Sequence, residues 1–463
     1  MYKINFNEPI HIHFIGIGGI SMSGFAELLH TAGFTISGSD SKKSKITEHL
    51  EAKGITILYG QKASNITPDI DLVVYTAAIH EDNPEMQAVL QHNIPRMDRA
   101  EMVGQVMLNY QNAIAISGTH GKTTTTSMLS QIFLEGNLDP TISVGGILKA
   151  IHGNIRIGNS ENFLIEACEY TNSFLKFNPK YSIILNIEED HLDFFKDIND
   201  IRHSFHLFAK RLPDDGVLFI NGEIENYEEI TKDLACKVVT YGIDNGNPTA
   251  YTYSATNITF NEDGYGEYDL LHNGSFVDHI TLGVVGIHNV SNSLPVIGLS
   301  IEQNIPMEAI KKGLTIFHGT ERRFEYKGEV AGITIIDDYA HHPTEIKATL
   351  EAAKRYPHKS TWCVFQPHTY TRTKAFLKEF AEALTLADKI VLTDIYAARE
   401  VNTGEISARD LQAELQKLGK EVYYFPAFDE IENFLLQNCT NGDLLITMGA
   451  GDVVSIGESL LGK

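Results

Sequence analysis

The residues with the clearest chemistry stand in the run Ala113-Ile-Ala-Ile-Ser-Gly118-Thr119-His120-Gly121-Lys122-Thr123-Thr124. An apolar strand, a glycine turn and a Lys-Thr pair opening a helix form a phosphate-binding loop. Backbone N–H groups and the helix N-terminus stabilise phosphate charge there. Lys122 would reach the terminal phosphates of ATP, the Thr123 hydroxyl would ligate Mg2+, and Gly121 would let the backbone approach. Gly118, Thr119, His120 and Thr124 complete the expected ATP-binding loop. The common pattern has a further glycine five residues before the Gly-Lys pair, where this chain has Ile116. Taken alone, the shorter run is also open to reading as a chance Gly-Thr turn.

Mg2+ takes hard oxygen ligands beside the phosphates. Glu166, in Glu166-Ala-Cys-Glu169, ends one apolar strand, and His191 follows another in Asn186-Ile-Glu-Glu-Asp190-His191. Each alone is more often a surface carboxylate or a turn histidine. Their joint place at strand ends beside the loop makes both candidate metal ligands. A second glycine turn, Gly16-Ile-Gly18-Gly19-Ile-Ser21, follows the first strand, and Asp40 ends the second. This is a dinucleotide-site layout with Ser21 in place of the third glycine. It supports an NAD(P)-dependent oxidoreductase as an alternative, although no hydride-transfer machinery accompanies it.

Further along, His288 and Asn292 share a helix face one turn apart. An Asn amide suits adenine because it both donates and accepts, and it also caps helices well. Gly319-Thr-Glu-Arg322-Arg323-Phe324 offers guanidinium groups for spread phosphate charge. Asp337-Asp338-Tyr339-Ala-His341-His342-Pro343-Thr-Glu345 and Phe365-Gln-Pro-His368-Thr-Tyr-Thr371-Arg372-Thr373 crowd polar groups after two strands.

These residues need elements to position them. Strands at 10–15, 35–39 and 72–76 alternate with a helix at 20–32, which implies a parallel sheet. A second block has strands at 113–116, 163–168 and 182–187, a helix at 123–134, an antiparallel region at about 250–286 and a helix at 288–303. A third has strands at 333–336, 362–365, 390–393, 422–425 and 444–448. The expectation is an α/β chain of three domains, 1–110, 111–318 and 319–463. The first and third are Rossmann-like, and the central one is P-loop ATPase-like.

The 463 residues suit about three domains. Thirty-seven basic against 60 acidic residues give a net charge of −23, which disfavours nucleic acid and anionic membranes. Four cysteines, far apart and without a CxxC pair, fit a reducing compartment. There is no signal-peptide layout and no apolar run of membrane-spanning length. A soluble cytoplasmic protein is expected, with no obligate protein partner evident.

Gly-Thr-His-Gly-Lys-Thr-Thr resembles the short phosphate loop of the Mur ligases, the amide-forming enzymes that build the peptidoglycan stem peptide. The resemblance covers essentially the whole chain. It implies three domains, for a UDP-sugar, for ATP and for an incoming amino acid. It implies ATP and Mg2+ as cofactors, with metal on Thr123, Glu166 and His191. It assigns the UDP-sugar to Gly16, Gly18, Gly19, Ser21, Asp40, Thr76, Ala77, Arg99 and His120. It assigns the adenine side to His288 and Asn292, with Arg323 and Asp338 completing the ATP site. Tyr339, His341 and Arg372 would hold the amino acid. Lys122, Glu166, His191, Arg322, Arg323 and His341 form the implied catalytic set, with His341 or His342 as base. Phe205 stands near the place of a carbamylated lysine in several relatives, so none is expected. The Gln-Pro-His…Thr-Arg-Thr run points to the member that joins L-alanine to the carboxylate of UDP-N-acetylmuramate through an acyl phosphate. The nearest alternative is a ligase that adds a recycled tripeptide to the same acceptor.

Overall fold

In the computed structural model, which describes residues 3–463 apart from 77, 263 and 399, the chain builds three sheets in succession. The first has five parallel strands. Their order is Thr56–Tyr59, Thr35–Asp40, His11–Ile15, Leu72–Tyr75, Arg96–Asp98. The order reverses at His11–Ile15, and that is the point where an open α/β sheet opens a crevice at its carboxyl edge. The Gly16 turn lies at this edge, and helix Ile20–Thr31 starts from it. Phe14, Phe25 and Leu72 are fully buried in the underlying core.

The second sheet has ten strands. Asn112–Ser117 lies between Tyr181–Ile184 and Asn162–Glu166, all parallel. Three strands therefore deliver their carboxyl ends to one place: the phosphate loop, Glu166 and the Asn186–His191 segment. The region expected to be antiparallel is so: Tyr253–Phe260, Tyr265–His272 and Ser275–Val285 pair antiparallel in succession, and Tyr253–Phe260 joins them to the sheet by pairing parallel with Lys237–Ile243. At the other edge Thr141–Leu148 and Gly153–Arg156 form a hairpin that periodicity did not show. Its glycines, 145 and 146, break the alternation that marks a strand.

The third sheet has six strands, with Glu325–Val330 antiparallel to Ile333–Asp338 and the remainder parallel. Glu325–Val330 is half-buried and charged, as suits an edge strand, and for the same reason it lacks a sequence signal. Phe205, expected in place of a modifiable lysine, is fully buried against Phe174. Among the described residues no helix is long and apolar enough to cross a membrane.

Candidate active site

The loop begins where strand Asn112–Ser117 ends. Gly118 and Gly121 take left-handed φ values of +146° and +82°, and helix Lys122–Glu135 follows at once. A Cβ at Gly121 would stand 3.1 Å from Asn292 Oδ1, so the glycine lets helix Ile287–Glu302 close on the loop. Asn186 staples the loop from the next strand. Its Oδ1 accepts the His120 N–H at 2.8 Å, and its amide donates to the His120 carbonyl at 3.1 Å.

Lys122 donates to the carbonyls of Gly118 and Thr119 and pairs with Glu169 at 3.1 Å. Burial works against its charge, but the Glu169 carboxylate overcomes this and raises the ammonium pKa. Thr123 donates its hydroxyl to Glu166 at 3.2 Å, and the Gly145 N–H donates to the other Glu166 oxygen at 2.6 Å. Burial pushes the Glu166 carboxyl up despite these donors and Lys122. Thr123 and Glu166 are thus a paired oxygen set at the loop. His191 stands in left-handed backbone at φ +53°, with its ring 4.5 Å from that of Tyr170. Burial lowers its pKa, and Asp190 and Glu169 act in the opposite direction.

Two cavities open between the second and third domains, and the larger adjoins the loop. The larger, about 640 Å3, is walled by Gly121 and Thr124 of the loop, by His288 and Asn292, and by Arg323 and Asp338. Asp338 accepts N–H groups from Phe324 at 2.8 Å and Ala340 at 2.7 Å. Burial raises its carboxyl to about 6, with Arg323 pulling the other way. The smaller cavity, about 110 Å3, lies where Asp190 and His191 meet His341, His368, Thr369 and Arg372. Arg372 is nearly buried. It donates to Asp190 at 2.7 and 3.1 Å and contacts His368 at 2.8 Å. Burial opposes the Asp190 charge, yet Arg372 holds its carboxyl well below the usual range. His341 directs Nδ1 at the Tyr339 carbonyl, 3.0 Å away, which fixes its lone pair on Nε2. Burial lowers its pKa to about 4, despite Glu345.

Three expected residues have different surroundings from those inferred. Arg322 is committed inside its own domain, to Asp337 at 3.0 Å and the Gly449 carbonyl at 2.7 Å, and lines neither cavity. Its neighbour Arg323 is the one that faces the large cavity, because the left-handed backbone at Arg322 turns successive side chains apart. Tyr339 lines neither cavity and lies beneath the guanidinium groups of Arg322 and Arg323. The side chain of His120 makes its polar contacts with Glu188 at 3.4 Å and Glu345 at 3.2 Å, not with the first domain. Burial opposes its charge, but the two carboxylates raise it to about 9.

The first-domain turn forms a separate cluster. The Ser39 carbonyl accepts N–H groups from Gly16 and Ile17, and Asp40 accepts that of Gly18 at 2.9 Å. A Cβ at Gly18 would sit 2.7 Å from Asp40 Oδ2 and one at Gly16 would sit 2.5 Å from the Thr76 methyl, so neither position has room for a side chain. Gly19 caps helix Ile20–Thr31, and Arg99 donates to Ser21 at 3.1 Å. Ala77 lies outside the described residues.

Several partners were not singled out as site residues from sequence: Glu169 on Lys122, Asn186 on the loop, Asp190 on Arg372, and Glu188 and Glu345 on His120. All five stand in or beside the strand-end runs already quoted. Their pairings, however, span 47 to 225 residues of chain, and spacing carries no trace of them.

Residues 11–111 match the Mur ligase family catalytic domain, 116–300 the Mur ligase middle domain and 322–451 the Mur ligase glutamate ligase domain. The chain is 66% identical over 469 residues to a UDP-N-acetylmuramate–L-alanine ligase of Lachnoclostridium phytofermentans, covering all of both chains. It is 60% identical to one of Agathobacter rectalis, again over the full length of both. The solved UDP-N-acetylmuramate–alanine ligase of Thermotoga maritima superimposes with a TM-score of 0.79 at 29% identity, over 98% of each chain. A murein peptide ligase of Psychrobacter arcticus shares the fold, with a TM-score of 0.69 at 24% identity over 98% of each chain.

Proposed function

The chain belongs to the Mur ligase family, and we propose that it joins L-alanine to the carboxylate of UDP-N-acetylmuramate at the expense of ATP, as a soluble enzyme of peptidoglycan synthesis. The observation that carries this reading is the convergence of a loop for phosphate, a large cavity beside it and a small cavity holding a buried arginine, all between the second and third domains. The full-length relatives named as L-alanine ligases support the choice of amino acid. The murein peptide ligase likeness, at 24% identity, supports the fold alone.

In this reading ATP lies in the large cavity, with its phosphates on the loop from Gly118 to Thr124 and its adenine beside His288 and Asn292. The substrate carboxylate attacks the γ-phosphorus. A new O–P bond forms, the bond to the ADP oxygen breaks, and ADP carries away the electron pair. The amine of L-alanine then attacks the acyl carbon, the C–O bond to phosphate breaks, and the ammonium proton is lost. Lys122 and Arg323 neutralise the charge that spreads over the transferring group. Arg322 contributes by holding the turn that aims Arg323. Arg372 would receive the amino-acid carboxylate, in competition with Asp190. His341 lines the small cavity with a free Nε2 and is the better placed base; His342 does not line it.

The paired Thr123 and Glu166 oxygens fit a hard cation, and His191 is the third residue that would hold Mg2+. Bound there, the ion would screen phosphate charge. The UDP-sugar is assigned to the Gly16–Ser21 turn with Asp40, Thr76, Ala77 and Arg99. His120 would meet the acceptor only where it borders the loop.

ADP release, followed with UDP-N-acetylmuramate and each candidate amine, tests the assignment. Release should require L-alanine. Release that ignores L-alanine but responds to the L-alanyl-γ-D-glutamyl tripeptide would overturn it in favour of the recycling ligase.

A further inference from the structure

His120, Glu188 and His342 come from three separate places in the chain. His120 is in the phosphate loop, Glu188 follows strand Tyr181–Ile184, and His342 caps helix Pro343–Ala353 of the third domain. Each offers one ligand atom, and these atoms all lie within 4.8 Å of one another. Among the described residues no other group of His, Cys, Asp and Glu meets that condition.

The surroundings are those of a metal site. Ligating histidines characteristically donate their second ring N–H to a carboxylate or a backbone carbonyl. His120 has Nδ1 3.2 Å from Glu345, which leaves Nε2 toward Glu188. That Nε2 is buried, and the Glu188 carboxylate 3.4 Å away is the polar group it faces. His342 has Nε2 3.1 Å from the Glu189 carbonyl, which puts its lone pair on Nδ1. The only contact of that lone pair is the Thr344 N–H at a long 3.3 Å. Glu188 is oriented by the Thr344 hydroxyl at 2.6 Å. Both histidines therefore have their outer partners in place.

We propose that His120, Glu188 and His342 form a divalent-cation site distinct from the oxygen site at Thr123 and Glu166. Two imidazoles and one carboxylate select a borderline ion such as Zn2+ or Co2+ over Mg2+, which prefers oxygen donors. Three protein ligands leave at least one coordination position open, and His120 and Glu188 both line the large cavity. The site takes two ligands from the central domain and one from the third. An ion there ties the third domain down over the phosphate loop.

The test uses the full chain with Co2+ or Zn2+ alone, in excess Mg2+ and without nucleotide, so it does not depend on the ligase reading. Co2+ should give visible d–d bands of a four- or five-coordinate site at one ion per chain, and Zn2+ should bleach them. Glu188→Gln keeps the side-chain shape, and His342→Gln removes the third-domain ligand. Each should weaken Zn2+ binding more than about tenfold, with far-UV circular dichroism unchanged. Absence of the bands, or unchanged affinity in both folded variants, would overturn the site.

Discussion

Lys122 sits among four oxygens, two carbonyls of its own loop and both of the Glu169 carboxylate, and is thereby held charged beneath the expected phosphates. Replacing it with Ala removes the ammonium that faces the expected phosphates. L-alanine-dependent ADP release should fall by more than about 100-fold, and the melting transition should also come earlier, because the buried Glu169 carboxylate loses its cation. Asp338 makes a pH-dependent prediction. Its carboxyl stands near 6 in the folded chain against 3.8 in the unfolded. Between those values the folded chain binds the extra proton, so this group's contribution to stability is greatest below 3.8 and declines as pH rises through 6. Asp338→Asn should remove that decline, worth up to ~3 kcal/mol. It should also remove a rise in KM for ATP that wild type shows as pH falls through about 6. Denaturant midpoints at pH 3.5 to 8 and ATP titrations at pH 5 to 8 measure the two effects.

Elements reach the site by close backbone approach, and glycine makes that possible at defined places. Helix Arg99–Met107 packs on the central domain through Gly104, where a Cβ would lie 1.9 Å from the Lys176 carbonyl. Gly104→Ala must push these two domains apart and should cost about 1–3 kcal/mol, seen as an earlier unfolding transition. The strands and helices that carry the site were legible because they are long and strongly patterned, as at 113–116 followed by 123–134. The hairpin that brings Gly145 onto Glu166 was not, because its glycines erase the alternation. Of the candidate site, the loop, Glu166 and Asn292 were singled out from type and position, and Arg323 and Asp338 were placed by the family resemblance. The different orientations of Arg322 and Arg323 were not, since they depend on the left-handed backbone at Arg322. His191 and Thr369 share that rare conformation beside the small cavity. Backbone strain of this kind concentrates where geometry must be fixed for function.

At the scale of the molecule, the second and third domains close on one another through ion pairs and hydrogen bonds. Arg372 with Asp190, His120 with Glu345, and Thr344 with Glu188 all cross the boundary. None of these pairs could be read from sequence, because complementarity between distant loops exists only once the domains are docked. Arg372→Ala leaves Asp190 buried without its partner, which should cost about 3–5 kcal/mol. It should raise KM for L-alanine far more than KM for ATP, and initial-rate measurements on each substrate would separate the two. The central claim is that the loop serves to activate a carboxylate by phosphoryl transfer. UDP-N-acetylmuramate labelled with 18O in its carboxylate, incubated with ATP and L-alanine, tests it by mass spectrometry of the released phosphate. One labelled oxygen should appear in inorganic phosphate for each amide formed. Unlabelled phosphate, or label recovered in AMP, would contradict it.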